Sequence, residues 1–370
     1  MRAGRLAVVL AGMLLLVSGC WDMTAVDDRN MVAMLALNRR AGEWTVRAQV
    51  LLPRYFAGAP GTTTGGGGSG GRTPPFTVLS GQGRTFLAAM QSMEDRSNRL
   101  FDYSLLKVVV LGRGLAREGL RRVDPLLRDV KLPPMAYVGV AREGTDRILK
   151  AQAVTESLPS HYLYTLFSRQ GNRTGAAMGV MLWQFMRHRF GDGDAFAPGL
   201  TVGGHGLRVD GLAVFRGGRL AGWLDPRETA AFALVRRGYP YYQVSATGPM
   251  TVSLHVTGGR ATYGVSMVRG EPRLWVRVGL RGNLAEAGRA VRTVAQADRA
   301  QSLLASALRL RVRRLVARLQ ELGTDPIGFR EKLREQKPHS PFLREWGRIY
   351  PKLDVSVRVR VNEVRQGFIF

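Results

Sequence analysis

Val355 to Asn362 reads VSVRVRVN. Val355, Val357, Val359 and Val361 alternate with Ser356, Arg358, Arg360 and Asn362, the period of two that sends one set of side chains into a core and the other into water. Upstream, Leu304, Leu308, Val312, Leu315, Leu319 and Leu322 recur by threes and fours, which predicts a helix over Gln296 to Leu322 with one apolar stripe. Gly323 follows, the residue type that best tolerates the left-handed end of a helix. Three further strands are expected at Met250 to Val256, Ala261 to Val268 and Arg273 to Arg281. Asp225-Pro226-Arg227-Glu228 is a strong helix start: Asp225 caps the first free amides, Pro226 fits the first turn and Glu228 bonds back. Before it, Gly211 to Phe215 and Leu220 to Leu224 flank Arg216-Gly217-Gly218-Arg219 as a hairpin. Strands followed by capped helices read as α+β, with helices packed on largely antiparallel sheets.

The first half has the same texture. Val32 to Leu37 and Trp44 to Leu51 read as paired strands, Thr85 to Arg96 as a helix, and Lys107 to Leu111 as a buried strand. Leu115 to Arg122 continues as helix, Ala136 to Ala141 as strand, and Asp146 to Gln152 as a short helix. Residues 57–71 (AGAPGTTTGGGGSGG) lack anything that packs a core and are expected to be a flexible insert. Gly191 to Gly206, rich in glycine, is the expected boundary of a multi-domain chain, with one domain over residues 20–200 and another over 207–370.

The amino end carries a different signal. Arg2 and Arg5 precede an uncharged stretch, Leu6 to Val17 (LAVVLAGMLLLV). It is too short to cross the roughly 30 Å hydrocarbon core, which needs about 20 helical residues, but it suits the core of a signal peptide over residues 1–19. Ser18 and Gly19 are small, and Cys20 follows at once, the single cysteine of the chain. LVSGC therefore reads as a lipobox, with Cys20 acylated after cleavage. A leftover free thiol on an exported protein would be odd. Once Cys20 is acylated, no disulfide, thiolate metal site or cysteine nucleophile remains, and the mature chain must hold together by burial.

The net charge is +26, spread along the chain without a basic tail and carried almost wholly by arginine. No nucleic-acid recognition motif accompanies it, so nucleic acid is not an expected partner, whereas an anionic membrane surface is. Catalytic patterns fail one by one. The Gly-x-Gly of Lys107 to Gly114 (KVVVLGRG) lacks its third glycine, since position 117 is Arg117. His161, His188, His205, His255 and His339 are scattered, with no metal-ligand spacing. No cofactor is implied, and no enzyme is expected. Arg311 and Arg318 flank the long helix's stripe on one side, Arg309 and Arg313 on the other, with Arg314 behind. A helix lying on its own sheet with wet arginines is one reading; contact with anionic headgroups or acidic loops of a partner is the other.

Several segments in this order resemble the Ger(x)C spore germination lipoproteins, the C subunits of nutrient germinant receptors. They are Cys20-Trp21-Asp22, SGQGRTFLAAM (80–90), KVVVLGRGLAREGL (107–120) and DPLLRDVKLPP (124–134). GLAVFRGGRLAGWLDPRETAAF (211–232), DPIGFRE (325–331) and EWGRIYPKLDVSVRVRVNEVRQG (345–367) complete the set. Leu105 departs from the pattern, where histidine is common, and so does the Gly-rich insert. The resemblance implies a non-enzymatic subunit on the outer face of the spore inner membrane, assembled with a membrane A subunit and a transporter-like B subunit. It leaves open whether this subunit touches nutrient. The alternative is a lipid-anchored solute-binding protein of a transporter, which would need two similar lobes on parallel sheets.

Overall fold

The computed structural model describes residues 28–52, 74–123, 132–153, 155–168, 177–190, 193–238, 243–286 and 293–366. Strand β1 (Arg29–Arg40) turns into β2 (Glu43–Leu51) through Ala41 and Gly42, both at positive φ, the geometry that matches strand twist in a two-residue hairpin. β3 (Phe76–Gly83) pairs antiparallel with β2. Helix α1 (Phe86–Glu94) starts at Thr85, whose hydroxyl accepts from the Ala88 amide. It lies directly over Gly81 and Gly83 of the SGQG segment, where any Cβ would collide with the helix backbone at Ala88 to Met93.

Next come β4 (Leu100–Asp102), β5 (Val108–Leu111), α2 (Arg113–Glu118), β6 (Tyr137–Ala141), α3 (Thr145–Leu149) and α4 (Pro159–Phe167). They are followed by β7 (Val180–Met181), α5 (Leu182–Phe190), β8 (Phe196–Gly203), β9 (Gly206–Arg216) and β10 (Arg219–Leu224). The ten strands form one sheet in the order β10-β9-β8-β6-β5-β1-β2-β3, with β4 beside β1 and β7 beside β6. Its centre is parallel: β5 pairs parallel with β1 and with β6, and β6 with β8. All of Val108–Leu111 and Tyr137–Ala141 is buried, the signature of strands covered on both faces. Such runs carry no alternation, so their direction was not legible. Antiparallel ladders flank them on both sides, which makes the sheet mixed. Within the glycine-rich 191–206 stretch lies β8, and the hairpin read with the second half, β9–β10, pairs through β8 into this first sheet.

Helix α6 (Pro226–Arg237) opens on the expected capping box: Asp225 accepts from the Glu228 amide at 2.7 Å and Glu228 from the Asp225 amide at 2.8 Å. The second sheet follows, β11 (Gln243–Thr247), β12 (Thr251–Val268), β13 (Glu271–Glu286) and, after three helices, β14 (Val355–Gln366), in the order β11-β12-β13-β14. The two strands expected over 250–268 are one: Val256 pairs with Gly282 and Gly258 with Arg281, so Thr257 bulges while the glycine pair stays in the ladder. β14 runs parallel to β13. The helices are α7 (Val294–Glu321), α8 (Phe329–Gln336) and α9 (Trp346–Ile349).

α7 begins on a second capping box, Thr293 with Gln296. It ends in a Schellman motif: Thr324 N–H reaches Leu319 O, Gly323 N–H reaches Gln320 O, and Gly323 takes φ 63°. Its stripe Leu304, Leu308, Val312, Leu315 and Leu319 is fully buried against the inner face of β11 to β14, and Leu322 packs at the rim. The core is continuous across both sheets, with α6 as the joint: Phe232 meets Phe196 edge-on at 4.9 Å.

Candidate functional site

The lipobox, Cys20 included, lies outside the described residues, as do residues 57–71 and 124–131. The described chain emerges at Asp28 beside β1.

On α7 the five arginines separate by chemistry. Arg313 and Arg314 are exposed and Arg309 half-buried. Arg311 donates to Ser245 O at 2.6 Å, which ties the helix to β11, and Arg318 pairs with Glu321 at 3.1 Å. The apolar stripe is buried as the periodicity expected, and two of the five arginines already serve the domain itself.

The Asp325 to Glu331 segment turns out to be a junction. Asp325 is 3 % exposed, and its oxygens meet only donors: the amides of Gly328, Phe329 and Arg330 and the Trp346 indole N–H, at 2.8 to 3.2 Å. Gly328 adopts φ 92°, which starts α8 at this carboxylate. Burial pushes Asp325 up to about 7, with the three amides pulling the other way and Asp194 adding to the rise. Asp194, in the turn before β8, accepts from the Asp325 amide at 2.8 Å, from the Thr324 hydroxyl at 3.0 Å and from the Gly217 amide at 3.2 Å. Trp346 stacks on Tyr350, whose buried hydroxyl burial also holds well above its usual range. Gln320 Nε2 donates to Tyr350 O and Leu353 O, both at 2.8 Å. One buried carboxylate thus ties the end of α7, the start of α8, the approach to β14 and, through Asp194, the hairpin of the first sheet. With its carboxylate buried and engaged by four donors, this is a latch of the fold.

A hollow of about 830 Å³ lies between α1 and residues 100–104. Leu87, Met90, Leu100 and Phe101 line it, and two pairs of polar groups face each other within it. Arg29 bonds Asp102 at 2.9 Å, and the Tyr103 hydroxyl bonds Glu94 at 3.0 Å. The Ser104 amide and hydroxyl, then Arg29, hold Asp102 down at about 2. Leu105, beside this hollow, is exposed.

Sequence reasoning missed the relation of Asp194 to Asp325, 131 positions apart. It also missed how the polar positions of β14 continue onto β13 and β12. Alternation was the available signal for the second; nothing local announced the first.

Comparisons with known proteins cover both halves of the chain. The model described as "Spore germination protein N-terminal domain" matches residues 22–202. The one described as "Spore germination B3/ GerAC like, C-terminal" matches residues 210–367. The chain is 27 % identical over 371 residues to "Putative spore germination protein YfkR" of Bacillus subtilis (strain 168), covering 95 % of this chain and 94 % of the relative. It is 23 % identical over 399 residues to "Spore germination protein KC" of the same organism, covering 98 % and 95 %. The solved structure "Crystal Structure of the GerBC protein" superposes with a TM-score of 0.60 at 16 % identity over 90 % of this chain and 97 % of that one, so the fold is shared. The chain belongs to the Ger(x)C family of spore germination proteins, with both of the family's domains present in order.

Proposed function

We propose that the chain is a non-catalytic, lipid-anchored subunit of a spore nutrient germinant receptor, held through Cys20 on the outer face of the spore inner membrane. There it assembles with a membrane A subunit and a membrane B subunit to trigger germination. The observation that carries this reading is the pair of family matches, which together run from residue 22 to 367 and begin two residues after the lone cysteine. Among the described residues no helix is long and apolar enough to cross a membrane, which fits an anchor elsewhere. The matches meet between residues 202 and 210, which supports a division into two domains near the expected boundary, the second lending its first hairpin to the sheet of the first. The two sheets differ in size and strand direction, unlike the similar lobes that a solute-binding protein needs. The exposed Arg313 and Arg314 and the half-buried Arg309 are the proposed partner or headgroup contact on α7.

Cys20→Ala tests the anchor. Spores fed a labelled fatty acid should label the native protein and not the variant, and the variant should leave the detergent phase uncleaved or soluble. A mature-sized, lipid-labelled variant in the membrane would refute the assignment.

A further inference from the structure

α7 covers the inner face of the four-stranded sheet, so its outer face is left to solvent. On that face Arg260 of β12, Arg273, Arg277 and Arg281 of β13, and Arg358 and Arg360 of β14 are all exposed. The register builds them into rows: Arg260 is opposite Gly279, which is opposite Arg360, and Thr262 is opposite Arg277, which is opposite Arg358. Among the side chains that the structure describes, the carboxylates beside these rows are Glu271 and Asp354, both at the end nearest the β12–β13 turn; Glu363 follows Asn362, the partner of Arg281, at the other end. None of the six arginines is within ion-pair distance of a carboxylate of the described residues.

Two features separate this face from an ordinary wet one. Arg277 and Arg358 are direct cross-strand neighbours, and like charges so placed cost stability unless something anionic lies over them. Trp275 lies flat over Gly264, where a Cβ would come within 2.8 Å of the ring, and the Arg277 guanidinium stacks on it at 4.8 Å. The aromatic therefore neither protrudes as a wedge nor opens a pocket. The result is a level array of guanidinium groups, each able to bond phosphate oxygens in a fork.

We propose that this outer face of the second sheet lies against the anionic phospholipid headgroups of the membrane. A spread array without a pocket or apolar anchor suits a plane of phosphates better than one acidic loop, which would favour a desolvated hot spot. The proposal deepens the anchored reading above, which puts a bilayer in reach. It also divides the basic surface. The exposed arginines of α7, Arg313 and Arg314, are on the helix that covers the other face of the sheet and do not share this plane.

The test uses the chain from residue 20 on with Cys20→Ala, so that no lipid contributes. Sedimentation is measured with vesicles of phosphatidylcholine alone and of phosphatidylcholine with phosphatidylglycerol, at low and high salt. Binding is expected only to the anionic vesicles and should weaken with salt. The triple variant Arg277→Thr, Arg358→Thr, Arg360→Thr keeps β-favouring side chains, and circular dichroism and melting establish its fold. At about fivefold per basic residue near an anionic surface, it should lose roughly a hundredfold in partitioning. The variant Arg309→Gln, Arg313→Gln, Arg314→Gln should lose much less. Full binding by the folded sheet variant, or equal loss in both variants, overturns the proposal. So does a sheet variant that binds vesicles normally but no longer co-purifies with membrane subunits, since the face would then belong to an acidic protein surface. A failed anchor would show in fatty-acid labelling and leave these vesicle results unchanged.

Discussion

The two sheets are buried in opposite ways. In the ten-stranded sheet the central strands β5 and β6 are covered on both faces, and every residue of Val108–Leu111 and Tyr137–Ala141 is buried. In the four-stranded sheet only the face against α7 is dry, while Arg277, Arg358 and Arg360 stand in water. A strand buried on both faces serves stability alone, because any polar side chain there must be desolvated. A strand buried on one face leaves every second position to vary without cost to the core, and that is where a surface for lipid or protein can be written.

The same kind of substitution should therefore have very different results in the two sheets. Val109→Asp in β5 places an unpaired carboxylate where exposure is 0 %, and more than about 3 kcal/mol should be lost, enough to abolish the cooperative transition in denaturant. Survival of a normal transition would show that the first sheet opens to water.

Asp325→Ala comes next. It strips an acceptor from four donors, at about 1 kcal/mol or more each, so at least roughly 4 kcal/mol should be lost, with both sheets melting together because the junction serves both. The pH dependence has a definite sign. Asp325 is raised to about 7, so between about pH 4, where the unfolded chain ionises, and pH 7 the folded state holds the extra proton. Its contribution to stability should fall as pH rises through that window and level off above it. Denaturation of Asp325→Asn across pH 4 to 8 should lack this slope.

Leu315→Ala removes the centre of the α7 stripe, which is 0 % exposed, and should cost about 2–5 kcal/mol by chemical denaturation. The smallest effect is expected at Arg358→Asp on the wet face. There the change should stay within about 1 kcal/mol and lean toward stabilisation, since it puts a carboxylate opposite Arg277. A large loss would mean that the outer face is packed in the folded chain, and the contrast between the sheets would fail.

That contrast also decided what could be read from residue order. The valine alternation of β14, the Asp225–Glu228 capping box, the stop at Gly323 and the Gly217-Gly218 turn are local signals, and the structure carries each of them. The direction of β5 and β6 was hidden because continuous apolar runs have no phase. β8 hid among glycines, since Gly199 lies where a Cβ would strike the Asp210 carbonyl and Trp223. The gap left over 257–260 between two expected strands holds a bulge at Thr257 inside an 18-residue strand. The arginine face needed the register of three strands, which no one segment contains.

Purifying the chain from spore membranes in mild detergent, and identifying what comes with it, decides whether it is the anchored receptor subunit proposed above. Two further proteins, the A and B membrane subunits, are expected in constant ratio with the native chain and lost when Cys20→Ala releases it from the membrane. Recovery of the native, lipid-labelled protein alone, or with the permease of a solute transporter, would contradict it.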